Sequence, residues 1–353
     1  MAKGALPVTY VLPLRWRSSE RIHELGRYLE SIGGLVEEVI VVDGSPDAAF
    51  ERHHALLRDI CRHIKPHADL AFLMGKVNGV TTGVREARCQ KVVIADDDVR
   101  YEPASLGRVA AELDRHALVR PQNYFAPLPW HARWDTGRSL LNRIASGDPR
   151  CWAADFPGTL GLRRSLFLEM GGYDGDVLFE NLELIRTVRA AGGTLGSPLD
   201  LYVARRPPTT RHFFSQRVRQ AYDDFALPLR YGAFLAVGPT VVLAGLRGWW
   251  GGIAGAAAAV IALAEAGRRR AGGARVFPFS ASILAPAWVL ERGLTVWLAL
   301  VQRLRYGGVR YGDVVIPRAA NPEHRIAARL RRRGRSQSPE PAEPLAASKP
   351  ISL

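Results

Sequence analysis

From residue 8 to about 225, short apolar runs alternate with helical patterns. Val8–Leu14 is an apolar run that stops at the polar switch Arg15-Trp16-Arg17, and Ser18–Ile32 reads as a helix closed by Gly33-Gly34. Glu38–Val42 is a β-branched run ending at Asp43-Gly44-Ser45-Pro46. After a further helix, Asp69–Met74 reads as a third strand, Gly79–Gln90 as a helix and Lys91–Ala95 as a fourth strand that ends in three aspartates. Strands separated by helices at this spacing indicate βαβ units and a mostly parallel sheet. Ligands of such sheets bind beyond the carboxyl ends of the strands. Asp43 and Asp96–Asp98 stand at two of those ends.

Beyond residue 230 the pattern changes. Tyr231–Ala266 is rich in Ala, Gly, Val and Leu and is broken by Arg247-Gly248-Trp249-Trp250-Gly251-Gly252. One helix of this length exceeds a single membrane span, so two short helices joined at the break are expected, with the tryptophans at an interface. Arg268-Arg269-Arg270 marks a cytoplasmic edge. Phe277–Gln302 is a second apolar region, but Glu291-Arg292 lies inside it, which favours a helix lying in the interface over a further span. A soluble helical subdomain is the competing reading. Six arginines between 325 and 335 follow, suited to anionic lipid head groups rather than to nucleic acid, and 336–353 has the composition of a disordered tail. The chain thus divides into an α/β domain (1–228), membrane-associated helices (229–304, two spans favoured) and a basic, disordered tail (305–353), with the first domain on the cytoplasmic face of the cell membrane.

The 353 residues carry a formal net charge of +14, which calls for an anionic partner. The three cysteines, Cys61, Cys89 and Cys151, form no CxxC pair and are odd in number, so neither a disulfide framework nor a zinc site is expected, and a reducing compartment fits. The opening residues are too short and too broken by proline for a secretory signal.

The strongest chemical signal is Asp96-Asp97-Asp98 after a β-branched strand. Asp96 and Asp98 can hold Mg²⁺ or Mn²⁺ together with a diphosphate, because such ions take few protein carboxylates and several phosphate or water oxygens. A helix-cap cluster is the bland alternative. Asp43 can accept from a base or ribose, although the same sequence commonly forms a turn. Gly75, Gly79, Gly83 and Ala87 put small residues on one helix face, for close approach to the sheet or to a ligand. Tyr124, Phe125, Trp130 and Trp134 offer either packing or a sugar platform, and His131 is a weaker candidate metal ligand.

In order and spacing these pieces resemble the family 2 glycosyltransferases, whose nucleotide-binding domain has the GT-A fold. The resemblance runs over about residues 7–225, through Val41–Asp47, Gly75–Ala87, Asp96–Asp98, Pro157–Thr159, Arg163–Ser165, Gly171–Asp174 and Phe179–Arg186. It implies a metal-dependent, inverting transfer from a nucleotide-sugar donor to a lipid or saccharide acceptor. Asp43 would contact the base, and Asp96 and Asp98 would hold the ribose–diphosphate–metal assembly. Pro13, Lys76, Asn78, Gly79, Asp97, Gln216 and Arg219 would complete the donor site. Two departures stand out. The usual Glu-Asp pair reads Glu180-Asn181, which makes Glu180 the leading general base, with Glu183 behind it. Gln216-Arg217-Val218-Arg219-Gln220 lacks the tryptophan of the processive motif. A nucleotidyltransferase and a non-catalytic membrane scaffold are the competing functions.

Overall fold

The computed structural model describes residues 4–16, 18–145, 158–312 and 314–337. Arg17, Cys151, Pro157 and the segment from 338 onward lie outside the described residues. Strands β1 (Leu6–Leu14), β2 (Val36–Asp43), β3 (Arg62–Ile64) and β4 (Lys91–Ala95) are parallel and alternate with helices α1 (Ile22–Gly33), α2 (Asp47–Leu57) and α3 (Gly75–Glu86). There follow β5 (Val99–Arg100), α4 (Pro103–Glu112), β6 (Leu118–Val119), β7 (Gln122–Phe125), α5 (Trp130–Ala145), β8 (Thr159–Arg163), α6 (Arg164–Glu169), α7 (Glu180–Ala190), β9 (Leu195–Gly196), β10 (Tyr202–Arg205) and α8 (Thr210–Tyr222). The main sheet has the order β3-β2-β1-β4-β8-β6-β9, with β8 antiparallel to both its neighbours. A smaller sheet, β5-β10-β7, sets Arg205 opposite Val99, next to the aspartates.

Burial on both faces makes β1 nearly continuous in apolar residues. Tyr10 and Leu12 enter one core with Leu25, Leu29 and Val41, while Val11 enters the other with Val77, Val80 and Val84 of α3. The small residues of α3 serve this contact. A Cβ on Gly83 would stand 2.3 Å from Val11 Cγ1, and one on Gly79 would stand 2.8 Å from Pro13 Cβ.

The expected strand at Asp69–Met74 is not formed. The third strand is β3, and 69–74 is irregular. Its backbone groups go elsewhere: Asn78 brackets Phe72 through both amide atoms, Leu73 N–H donates to Asp176 Oδ1 and Met74 N–H to the Gly175 carbonyl. The following helix accordingly begins at Gly75 and ends at Glu86, rather than running from Gly79 to Gln90.

The C-terminal region forms α9 (Pro228–Leu246) and α10 (Trp250–Arg269), joined at the expected break, then α11 (Phe279–Ile283) and α12 (Ala285–Tyr306). Three stretches are long and apolar enough to cross a membrane: Pro228–Leu246, Trp250–Arg275 and Phe279–Tyr306. α9 leaves the domain where Arg230 pairs with Asp224, and α10 returns where Arg143 donates to the Gly267 carbonyl. α12 instead touches the α/β domain along its length. Ala285 lies against Gly137, Glu291 and Arg292 pair with Arg217 and Asp224, and Arg303 sits over the Phe225 ring.

The chain beyond residue 305 differs from the expected disordered tail through residue 337. A hairpin of β11 (Val309–Tyr311) and β12 (Val314–Ile316) and a helix, α13 (Glu323–Gln337), return to the α/β domain. Val177 bridges Arg318, and Leu178 and Phe179 donate to the carbonyls of Arg318 and Ala319. The physical cause is an apolar stripe that composition hides: Ile316, Ala319 and Ile326 are buried despite the arginines around them.

Candidate active site

The carboxyl ends of β1, β2 and β4 open into a cleft of about 480 Å³, a normal size for a small-molecule site. Of the residues expected at the donor, the structure brings Pro13, Lys76, Asn78, Gly79, Asp96, Asp97 and Arg219 to its walls, together with the expected base Glu180. Lys76, on the first turn of α3, reaches Asp96 Oδ1 at 2.6 Å and Glu180 Oε1 at 2.7 Å. Burial alone would pull its ammonium down, but the two carboxylates outweigh it and hold the pKa well above the usual lysine range. Glu180 begins α7 and also accepts from the Tyr173 hydroxyl at 3.3 Å. Burial raises its carboxyl, against the pull of Lys76. Asn181 lines the cleft beside it.

Asp97 is held by Trp16, whose indole N–H donates to Oδ2 at 2.6 Å. Asp96 and Asp98 share Arg205: its Nε is 2.7 Å from Asp98 Oδ2 and its Nη2 is 3.7 Å from Asp96 Oδ2. Asp98 Oδ1 is buried with no hydrogen-bond partner among the described residues. Burial raises the Asp98 carboxyl, Arg205 opposes this, and Asp96 and Asp97 add to it. Gly158 keeps Asp96 in place, since a Cβ there would fall 2.6 Å from Asp96 Oδ2. No cluster of three or more His, Cys, Asp or Glu side chains suited to a metal occurs among the described residues. An unsatisfied carboxylate oxygen next to a second carboxylate nevertheless fits a hard cation that takes its remaining ligands from phosphate and water.

Four expected site residues lie off the cleft. Asp43 is fully buried below it, accepting from His53 at 2.7 Å, from His63 at 3.2 Å and from the Ser45 N–H at 2.8 Å. Burial pushes its carboxyl up, but these hydrogen bonds win and hold it at about 2. Glu183, one turn beyond Glu180, receives the Asn321 N–H at 2.7 Å and the Asn321 amide at 2.8 Å, so it anchors the returning C-terminal segment. Asp98 and Gln216 line a neighbouring cavity. His131 bonds the Pro208 carbonyl at 2.8 Å, and Trp130 packs with Trp134 and Phe214 at the start of α5. Cys61 and Cys89 are free thiols. Sequence reasoning missed Arg205, Trp16 and Asp223. Arg205 lies 107 residues from Asp98, in a strand whose local pattern carries no chemical signal.

The fold is an α/β fold with a mostly parallel sheet, of the kind found in GT-A glycosyltransferases. Among solved structures, the chain is similar to a mannosyltransferase, PcManGT from Pyrobaculum calidifontis, in complex with GDP-Man and Mn²⁺, with a TM-score of 0.50 at 20% identity over 84% of this chain and 88% of that one. Glucosyl-3-phosphoglycerate synthase from Mycobacterium tuberculosis, in complex with Mn²⁺, UDP and phosphoglyceric acid, aligns with a TM-score of 0.41 at 19% identity over 60% of this chain and 74% of that one. No family model matches the chain, and no curated protein matches it.

Proposed function

We propose that this chain is a family 2-type glycosyltransferase that moves a sugar from a nucleotide-sugar donor to an acceptor hydroxyl or phosphate at the cytoplasmic face of a membrane. The observation that carries the reading is the convergence of Asp96, Lys76, Glu180 and Arg205 in one cleft at the carboxyl edge of a GT-A-like sheet. Lys76 and Arg205 place fixed positive charge where a departing diphosphate gains negative charge. Asp96 and Asp98 would hold Mg²⁺ or Mn²⁺ with that diphosphate, and the ion would supply further charge neutralisation. For a hydroxyl acceptor, Glu180 is the group able to take the proton. Burial raises its carboxyl, against the pull of Lys76, which makes it a stronger proton acceptor than an ordinary glutamate, and the reaction would invert the anomeric centre. α9 and α10 would cross the membrane as a hairpin while α12 lies in the interface, supported by the contacts of α12 with the α/β domain at both ends and at its middle.

The test is a panel of nucleotide-sugars titrated into the full-length protein with and without Mn²⁺ or Mg²⁺. Metal-dependent binding of one donor is expected, followed by its transfer or slow hydrolysis. Binding of none of them, or equal binding without metal, would overturn the reading.

A further inference from the structure

Among the described residues, the cations lining the donor cleft are Arg15, Lys76, Arg205 and Arg219, and they differ in what holds them. Arg15 is exposed at the β1 end. Lys76 is spent on Asp96 and Glu180, and Arg205 on Asp98 and Asp96. Arg219, half-buried on α8, forms no ion pair among the described residues, and its Nε is buried with no hydrogen-bond partner among them. What it has instead is an aromatic ring. Its guanidinium carbon stands over Tyr311, 5.1 Å from the ring centroid. Buried polar atoms are nearly always paired, so an orphaned N–H on an arginine in a cleft wall marks a place where a ligand supplies the acceptor.

Tyr311 arrives from far along the chain. It belongs to β11, after α12, pairs with Val314 across the hairpin and itself lines the donor cleft. The hairpin is fixed to the helix that carries Arg219. Val309 and Ile316 are buried, and Tyr222 at the end of α8 donates its hydroxyl to the Pro317 carbonyl at 2.8 Å. An aromatic face orients a guanidinium by attracting its charge, and this consumes none of its N–H groups. A carboxylate holding the same arginine would take up those groups in charge-assisted hydrogen bonds. Asp223, one turn further on, lines the same wall without pairing with Arg219, and burial pushes that carboxyl up to about 7, against the pull of Arg219. Arg219 is thus held in place with its donors left for a ligand.

We propose that Tyr311 is a positioning residue of the donor site: its ring aims Arg219 at the diphosphate of the nucleotide-sugar, and the hairpin after α12 is thereby a working wall of the active site. This rests on the transferase reading above. Arg219 supplies the N–H groups that Lys76 and Arg205 have committed to carboxylates. A planar guanidinium matches phosphate oxygens in pairs, so its orientation decides how many bonds it makes. Tyr311 fixes that orientation before the ligand arrives.

The test uses the full-length protein in phosphatidylcholine nanodiscs, titrated calorimetrically with UDP, GDP, UMP and GMP in the presence of Mn²⁺. Tyr311→Leu is expected to weaken the preferred diphosphate by about 5-fold or more and its monophosphate by less than about 2-fold, as loss of one cation–π contact that acts through Arg219 would give. Tyr311→Phe, which keeps the ring, is expected to bind both like the parent protein. Arg219→Gln is expected to lose at least as much as Tyr311→Leu, and adding Tyr311→Leu to it is expected to change nothing further. An equal loss for diphosphate and monophosphate, or a Tyr311→Leu loss that persists in the Arg219→Gln background, would assign Tyr311 to packing and overturn the inference. Tyr311→Phe binding as weakly as Tyr311→Leu would assign the effect to the hydroxyl and overturn it too. A diphosphate that binds the parent protein and all three variants alike would overturn this inference and leave the transferase reading standing. Binding of neither diphosphate to the parent protein would overturn the transferase reading, and the role of Tyr311 with it.

Discussion

At the scale of single residues, the acidic cluster after β4 divides its work. Asp97 is tied to Trp16, Asp96 to Lys76, and Asp98 is left with one oxygen satisfied by Arg205 and one without a partner among the described residues. Asp98→Asn keeps the shape and removes the charge. It is expected to lower turnover on the order of 10²-fold, the usual loss when one charge-stabilising group is removed, while the thermal transition stays in place. Metal-dependent turnover of the variant close to that of the parent protein would exclude Asp98 as a ligand. Asp43 makes a separate, pH-dependent prediction. Its folded pKa of about 2 lies below the ordinary aspartate value, so its stabilisation is complete above the unfolded value and drains away as the pH falls through 2. The depression corresponds to roughly 2 kcal/mol. Urea unfolding at pH 6 and at pH 3 is expected to show Asp43→Asn as the less stable protein at pH 6, with the gap narrowed by about half at pH 3. A constant gap would assign the effect to packing instead. The aspartates were legible in the sequence because acids at a strand end are a local pattern. Arg205 was not, because only the pairing of β10 with β5 brings it to them. Glu183 was legible as an acid at helical spacing from Glu180, but its burial against Asn321 depends on a segment 138 residues away.

At the scale of elements, period and punctuation in the sequence located β1, β2, β4 and the α9–α10 pair. They misplaced the third strand. Asp69–Met74 has the composition of a strand, yet its polar backbone is spent on Asn78, Gly175 and Asp176. The true strand, Arg62–Ile64, is too short and too polar to announce itself. The spacing of small residues on α3 left open whether they face a ligand or the sheet. The geometry gives Gly83 to the sheet alone, whereas Gly79 both packs on Pro13 and lines the cleft. Gly83→Ala is therefore expected to cost about 1–3 kcal/mol, as overpacking in a closed core does, because its Cβ meets Val11 at 2.3 Å. Gly107→Ala, with nothing within 4 Å of the new Cβ, is the control, measured by the same denaturant titration. Equal effects at the two positions would show that α3 relaxes away from β1.

For the whole molecule, the sequence divided the chain at a change of composition, and the structure joins its two ends again. Arginine content made the region after 305 look solvated, but alternate faces of the hairpin and of α13 are apolar. Asn321, Arg318 and Ala319 fasten it to α7 and to the strand-like segment before it. That closure sets a parity rule. A segment hydrogen-bonded to the α/β domain lies on the same side of any bilayer as that domain, so the chain between them must traverse the bilayer an even number of times. Three candidate stretches cannot all cross. If α9 and α10 form the pair that does, the turn at Arg247–Trp249 lies on the side of the bilayer opposite the α/β domain. With a membrane-impermeant maleimide on right-side-out cells, a cysteine placed at Gly248 is expected to label from the outside, and one placed at Gly312 only after the membrane is opened. Labelling of Gly312→Cys from the outside would mean an odd count, and the contacts between Glu183 and Asn321 would then have no way to form.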